Sequence, residues 1–152
     1  MRYDKMLRFL LVGFLLTLVA GCGDPPLNPI DGKVTLDGKP YERLLVYFRP
    51  IGRKVDSFRM GVGETDRDGN LGLRSSAGDG LAAGKYRVSF NCYVSKNGKA
   101  VGLSSEKADD DRTLVTEDIV PEPYNDPESS PVEFTIQSGT NTFEYDIPSA
   151  AP

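Results

Sequence analysis

The segment "KYRVSFNCYV", Lys85–Val94, decides the fold class, because apolar and polar side chains alternate along it without a break. Successive side chains of a β-strand point to opposite faces, so a period of two is typical of a strand with one buried face. The segment therefore predicts a β-strand in a half-buried sheet. The face predicted to be buried carries Tyr86, Val88, Phe90, Cys92 and Val94.

Shorter segments elsewhere show the same alternation and are separated by turn residues such as Asp37-Gly38 and "SGTN", residues 138–141. No amphipathic helix is indicated after residue 21. We therefore expect an all-β chain, a seven-stranded antiparallel β-sandwich of immunoglobulin-like architecture. The other six strands are expected at Ile30–Leu36, Arg43–Pro50, Phe58–Val62, Leu71–Leu73, Val132–Ile136 and Phe143–Ile147.

The N-terminal segment has the pattern of an export signal. Basic residues at 2, 5 and 8 precede an uncharged run, Phe9–Ala20. A run of about 12 residues is shorter than the roughly 20 that a membrane-spanning helix needs. We expect residues 1–21 to be a signal peptide that is removed.

The end of this signal, Val19-Ala20-Gly21-Cys22, resembles the lipobox of bacterial lipoproteins. In that family the cysteine thiol receives a diacylglyceryl group, the signal is cut before the cysteine, and the new N-terminus is usually acylated. The resemblance implies that Cys22 is lipidated and holds the chain to a membrane outside the cytoplasm. An ordinary secretory signal, with Cys22 paired to Cys92 in a disulfide, is the alternative.

Downstream of Cys22 we expect a tether and one domain. Residues 22–29 are rich in proline and predict a semi-rigid spacer of about 20 Å. Residues 30–148 would form the β-sandwich, with an acidic insertion near residues 96–118. The 131 residues from Cys22 onward suit a single domain.

A longer pattern covers most of residues 30–147: "GKVTLDGKPYERLLVYFRP", "GETDRDGNLGL", "GLAAGKYRVSF" and "VPEPYNDPESSPVEFTIQSGTNTFEYDI". Together these stretches resemble small bacterial lipoproteins with a transthyretin-like, carboxypeptidase-regulatory-like domain. The resemblance implies a prealbumin-like sandwich of seven strands. It implies no established catalytic residues.

The net charge after residue 21 and the residue that follows Cys22 limit the partners and the membrane that we expect. Removal of residues 1–21 takes away three basic residues and one acidic residue, which leaves 15 Lys and Arg against 21 Asp and Glu. The resulting charge of −6 and the lack of a basic cluster argue against nucleic acid or anionic lipid as the main partner. An envelope protein or a glycan is expected instead. Gly23 replaces the Asp that marks inner-membrane retention in some bacteria, which favours the outer membrane or the cell surface.

The amino-acid composition argues against catalytic activity. The chain has no histidine, which excludes Ser-His-Asp and Cys-His catalysis and the histidine-containing zinc sites. Cys92 without a histidine is a poor nucleophile and is interpreted as a core residue. We expect no cofactor and no enzyme activity.

Several polar segments are weak candidates for binding. "TDRDGN", residues 65–70, resembles the start of a calcium loop, but its twelfth position is Ala77 rather than an acid, so a tight turn is favoured. Asp109, Asp110 and Asp111, in the acidic segment 104–118, could bind calcium or form a solvated charge run.

Exposed aromatic rings are the other candidates. Tyr124 and Asn125, in the proline-rich segment 120–131, could form a recognition site or part of a rigid crossover. Tyr41 and Tyr93 could join a sugar-stacking surface. The alternative function is therefore a calcium-binding or glycan-binding module.

Overall fold

The computed structural model describes residues 23–95, 98, 100–101 and 117–149. All regular secondary structure in these residues is β, which confirms the predicted class. In the described residues no helix is long and apolar enough to span a membrane. The strands are β1 (Leu27–Asn28), β2 (Ile30–Leu36), β3 (Leu45–Pro50), β4 (Gly61–Thr65), β5 (Asn70–Ser75), β6 (Gly78–Asp79), β7 (Leu81–Ala82), β8 (Gly84–Asn91), β9 (Tyr93–Val94), β10 (Glu117–Asp118), β11 (Glu133–Ile136) and β12 (Asn141–Ile147).

The long strands form one hydrogen-bonded sheet in the order β11-β8-β3-β4-β5-β2-β12, and β6 pairs with β5. Two separate antiparallel sheets were predicted, and the structure differs from this in two ways. The strand path is continuous, and β12 runs parallel to β2, with Asn141 opposite Ile30 and Ile147 opposite Leu36. The parallel edge arises because the turn at 138–141 does not make a hairpin. It carries the chain from one edge of the sheet to the other.

Aromatic packing shows that the sheet curls until its two halves face each other. Phe143 on the β12 edge lies with its ring centroid 5.1 Å from that of Phe48 on β3 and 5.1 Å from that of Phe134 on β11. Tyr145 stacks on Phe90 of β8 at 5.4 Å. The core therefore lies inside the curl. The predicted inward residues of β2, β3, β5, β8 and β12 are in this core cluster or packed against it.

The inward face of β4 was predicted wrongly. The alternation of Phe58, Met60 and Val62 predicts that these apolar residues share the inward face, but Gly61, Gly63 and Thr65 point inward, and Val62 is only half-buried. A Cβ on Gly63 would lie 2.5 Å from the carbonyl oxygen of Gly72. Glycine is required at this position because the neighbouring backbone occupies the space of a side chain.

The N-terminal segment is fixed earlier than predicted, because β1 pairs with β7 at Leu27 opposite Ala82. Asn28 is 4% exposed, and its Nδ2 donates to the Leu81 carbonyl at 3.1 Å. Its Oδ1 accepts from the Gly139 amide at 2.9 Å. The described tether is therefore residues 23–26, about 12 Å long in an extended conformation, instead of the predicted 22–29.

The buried core side chains of the described residues come from Asn28 to Ile147. The chain from residue 22 onward therefore carries the whole described fold. We call the end of the sheet where β2 and β12 begin the proximal end, because the tether lies there. The distal end is where these two strands finish, at Leu36 and Ile147.

Candidate functional site

The outer face of β3 and β8 bears a groove, which we call the outer groove. Its first part is a cavity of about 360 Å³ with a mainly apolar lining. Loop residues Val55 and Met60 form one wall, and Val55 is 53% exposed although it is a large aliphatic residue. The lining residues are Tyr47, Arg49, Val55, Met60, Ser89, Asn91 and Pro127.

The groove continues into a polar part of about 430 Å³ that contains three arginines, Arg49, Arg53 and Arg87. Arg49 and Arg87 stand directly opposite each other on β3 and β8. Arg49 forms an ion pair with Glu128, and Arg87 Nη1 donates to the Glu128 carbonyl at 2.7 Å. Arg87 Nε is buried and has no hydrogen-bond partner among the described residues. We call this the arginine part of the groove.

The arginine part lies at the proximal end. The strand β3 ends there at Pro50, and the following segment, residues 51–60, forms the wall that carries Arg53. Ala82 joins this segment to the tether, because it pairs with Leu27 and its amide donates to the Phe58 carbonyl at 2.9 Å. The wall of the groove is thus joined through Ala82 to β1, the first described strand.

The distal end is rich in carboxylates that accept local hydrogen bonds. Asp66 Oδ1 accepts from the amides of Asp68 and Asn70, both at 2.9 Å. Asp146 accepts from Thr35 Oγ1 at 2.6 Å and from the Gly38 amide at 2.7 Å. Asp66 and Asp146 therefore lie at the opposite end of the sheet from the arginine part of the groove.

These contacts support the turn interpretation of residues 65–70 over a calcium loop. The side-chain and backbone hydrogen bonds from Asn70 lower the pKa of Asp66, and Gly69 adopts a φ of +81°. Within residues 23–95 and 117–149, no three metal-binding side chains are grouped so that they could hold an ion. Asp109, Asp110 and Asp111 lie outside the described residues.

Tyr124 is a core residue rather than an exposed recognition residue. It is 5% exposed, and its ring lies 6.4 Å from that of Tyr145. Its carbonyl accepts from the Phe90 amide at 2.9 Å. The segment 119–132 is thus a crossover that hydrogen-bonds along β8, and Asn125 is half-buried within it.

The other tyrosines are distributed unevenly. Tyr41 is half-buried against the core, whereas Tyr93 is 37% exposed. Tyr47 lines the outer groove, and burial, followed by the nearby Tyr93, raises its pKa. One exposed ring beside a half-buried one is a weak surface for stacking on a sugar.

Asp118 fixes the point where the acidic segment rejoins the sheet. Its Oδ1 accepts from the amides of Cys92 at 2.9 Å and Val120 at 3.1 Å, and its Oδ2 accepts from Asn91 Nδ2 at 2.7 Å. In addition, β10 pairs with β9, with Glu117 opposite Val94. The chain before and after the acidic insertion is therefore held together at Val94 and Glu117.

Cys92 is fully buried and free, in agreement with its interpretation as a core residue. Cys22 lies outside the described residues. Burial, with a smaller contribution from Asp118, raises the pKa of the Cys92 thiol from 9.0 to about 11. The thiol is therefore protonated and shielded at neutral pH.

We expect Cys92 to resist thiol reagents in the folded protein. At pH 8 a pKa of about 11 instead of 9.0 makes the reactive thiolate roughly a hundredfold rarer, before shielding is counted. Labelling kinetics of a Cys22→Ser chain, with and without urea, measure this. Equal rates in both conditions would contradict the buried position.

The same shift predicts how stability depends on pH. The unfolded thiol loses its proton near pH 9.0, whereas the folded thiol loses it near pH 11. The contribution of this group is fully present below pH 9.0 and is lost as the pH rises through about 11. Burial also raises the pKa values of Tyr47, Tyr86 and Tyr145, so the test is the difference in urea unfolding between the unaltered chain and Cys92→Ala across this range.

The arginine part was not foreseen from the sequence. Arg49 and Arg53 are close in the chain, but Arg87 lies on a different strand, and the negative net charge conceals the group. Nothing in the sequence indicated that three arginines share one groove with Glu128. The alternation of β3 and β8 places Arg49 and Arg87 outward, but only the strand pairing places them side by side.

The chain was also compared with known proteins. No family model, no curated protein and no solved structure matches it.

Proposed function

We propose that this chain is an extracytoplasmic lipoprotein, anchored through Cys22, whose all-β domain is a non-catalytic binding module with the outer groove as its binding site. The supporting observation is the position of β1. Strand pairing begins at Leu27, five residues after the cysteine of Val19-Ala20-Gly21-Cys22. An anchor at Cys22 would therefore hold the domain, and its groove, close to the membrane.

The fold of this proposal is a curled variant of the transthyretin-like sandwich. The resemblance of residues 30–147 to small bacterial lipoproteins supports it, as does a core enclosed between two halves of a sheet. The partner would be an envelope component, on the outer membrane or cell surface. The net negative charge argues against nucleic acid.

The glycan and calcium alternatives find less support. Among the described residues Tyr93 is the one exposed tyrosine, at 37% exposure, and Tyr124 is buried. The outer groove instead combines apolar side chains with arginines, which suits an amphipathic anion better than a sugar or a cation.

Cys22→Ala tests the anchor in a bacterial host grown with an alkyne-tagged palmitate. The unaltered chain should carry the tag, sediment with membranes and leave them only in detergent. The variant should lose the tag, because it lacks the thiol that starts lipoprotein processing. Gel fluorescence and membrane fractionation are the measurements.

Cys92→Ala is the matched control, since it removes the other cysteine and leaves the signal intact. It should keep both the tag and the membrane attachment. A tag retained in Cys22→Ala, or an unaltered chain found soluble and untagged, would reject lipidation at Cys22.

A further inference from the structure

We propose that the arginine part of the outer groove binds the phosphate of an anionic lipid headgroup, so that the domain rests on the bilayer by its proximal end. This rests on the proposed function in one respect, namely that the anchor at Cys22 brings this end to the membrane. It adds a second, non-covalent contact with the same bilayer.

The like-charged pair Arg49 and Arg87 is the first argument. Like charges directly opposite each other in an antiparallel pair destabilise a sheet, and here the loop adds a third cation, Arg53. Glu128 pairs with Arg49, and Glu133 Oε1 lies 3.9 Å from Arg87 Nη2, so two carboxylates already offset part of this repulsion, and a bound anion would offset more of it. Guanidinium groups bind phosphate oxygens in bidentate geometry, which makes phosphate a well-matched ligand.

The existing ion pair leaves room for that ligand. The side chains of Arg49 and Glu128 are 43% and 70% exposed, so their pairing is a weak surface interaction that a phosphate can replace. Arg87 is held in place by the Glu128 backbone carbonyl, which does not depend on the Glu128 side chain. Its buried Nε remains an unused donor among the described residues.

The location of the groove selects a lipid as the source of the phosphate. Phe58 belongs to the segment that forms the wall of the groove. Because Ala82 hydrogen-bonds to Phe58 on one side and pairs with Leu27 on the other, this wall lies about two strand spacings, or about 10 Å, from Leu27. The tether adds about 12 Å more. The distal end lies roughly 20 Å farther away, because β2 rises about 3.3 Å per residue. Its carboxylates, such as Asp66 and Asp146, would be repelled by an anionic surface, which favours the same orientation.

The apolar part of the groove fits the remainder of a lipid molecule. Val55, exposed at the rim, and Met60 stand beside the arginines. A phosphate at Arg49 and Arg53 would place glycerol or acyl carbons against them. A single cation supplements a lipid anchor modestly, and several together give stable attachment.

The test uses the chain from residue 22 with Cys22→Ser, which carries the described fold but no lipid. Its co-sedimentation is compared on phosphatidylcholine vesicles and on equimolar phosphatidylcholine and phosphatidylglycerol vesicles. The double variant Arg49→Gln/Arg53→Gln is set against Lys39→Gln/Arg67→Gln, which makes the same charge change at the distal end. Thermal melts confirm that all of these chains fold.

We expect binding to the anionic vesicles only. Each arginine near an anionic surface strengthens binding roughly fivefold, so the groove variant should bind on the order of twenty-five times more weakly. The distal control should bind like the parent. Failure to bind anionic vesicles, or equal losses in the two double variants, overturns the proposal.

Titration with inorganic phosphate separates the two sources of the ligand. If the NMR chemical shifts of amides at the groove change saturably with phosphate while the chain does not bind vesicles, the ligand is a soluble phosphate and the lipid proposal is overturned. Binding of both the vesicles and phosphate, with phosphate competing, supports it. Because this chain needs no acylation, its result is independent of the palmitate labelling, so either proposal can fail alone.

Discussion

Phe143→Ala should lower the free energy of unfolding by about 3–5 kcal/mol, the usual cost of removing a buried phenylalanine side chain. Phe143 is 3% exposed, and its ring contacts those of Phe48 and Phe134 on the opposite half of the sheet. Its loss leaves a cavity between the two halves and removes aromatic pairs worth about 0.5–1.5 kcal/mol each beyond area burial. Urea unfolding followed by circular dichroism measures the change.

Two companion variants give that result its meaning. Tyr93→Ala removes an aromatic ring that is 37% exposed, and it should change stability by less than about 1 kcal/mol. Phe143→Leu retains most of the volume and should recover more than half of the loss. If Phe143→Ala were no more harmful than Tyr93→Ala, β12 would not pack across the curl.

Gly80→Ala should cost about 3–4 kcal/mol for a different reason, since strain and displacement add together. Gly80 has a φ of +93°, and a Cβ there would lie 2.3 Å from the carbonyl oxygen of Asn28. Backbone cannot yield as a flexible side chain can, so β1 must shift and Asn28 loses its hydrogen bonds to Leu81 and Gly139. Urea unfolding measures the total loss of stability, and amide hydrogen exchange at β1 measures the displacement of this strand.

Gly139→Ala is the control that separates the strain of a positive φ from the steric clash of the added Cβ. Its φ of +97° is nearly the same, but no atom lies within 4 Å of the added Cβ. This control should lose only about 1–2 kcal/mol, the cost of a left-handed conformation for an L-residue. Equal losses at the two positions would show that the contact with Asn28 is not rigid.

The strands that the sequence predicts well are those whose alternation is complete. In β8 Tyr86, Val88 and Phe90 are buried, as the pattern requires, and so is Cys92 directly after the strand, although Ser89 on the other face is buried too. In β4 the local pattern predicts the wrong inward face, because the apolar residues Met60 and Val62 alternate with Gly61 and Gly63, which occupy the inward positions. Local alternation cannot show that Leu71 and Leu81 already fill the space beside those glycines.

The candidate site was less predictable than the fold. Turn chemistry at Asp66–Asn70 is local, and the structure agrees with it. The parallel pairing of β12 and the meeting of Arg49 with Arg87 both depend on strand order, which is set by contacts between distant parts of the chain. The burial of Tyr124, which fits the crossover alternative, likewise depends on Tyr145, a residue remote in sequence.

The clamp formed by β9, β10 and Asp118 allows the acidic insertion to change during evolution while the sheet of the domain is conserved. Because Val94 pairs with both Ala100 and Glu117, and the Val101 amide donates to the Tyr93 carbonyl, the number of residues between Val101 and Glu117 can change without moving the sheet. Doubling the length of a flexible connection costs only about 0.6 kcal/mol in closure entropy. The position between these residues is thus a natural place for new sequence, and an epitope or a reporter peptide inserted there should be displayed by an otherwise unaltered domain.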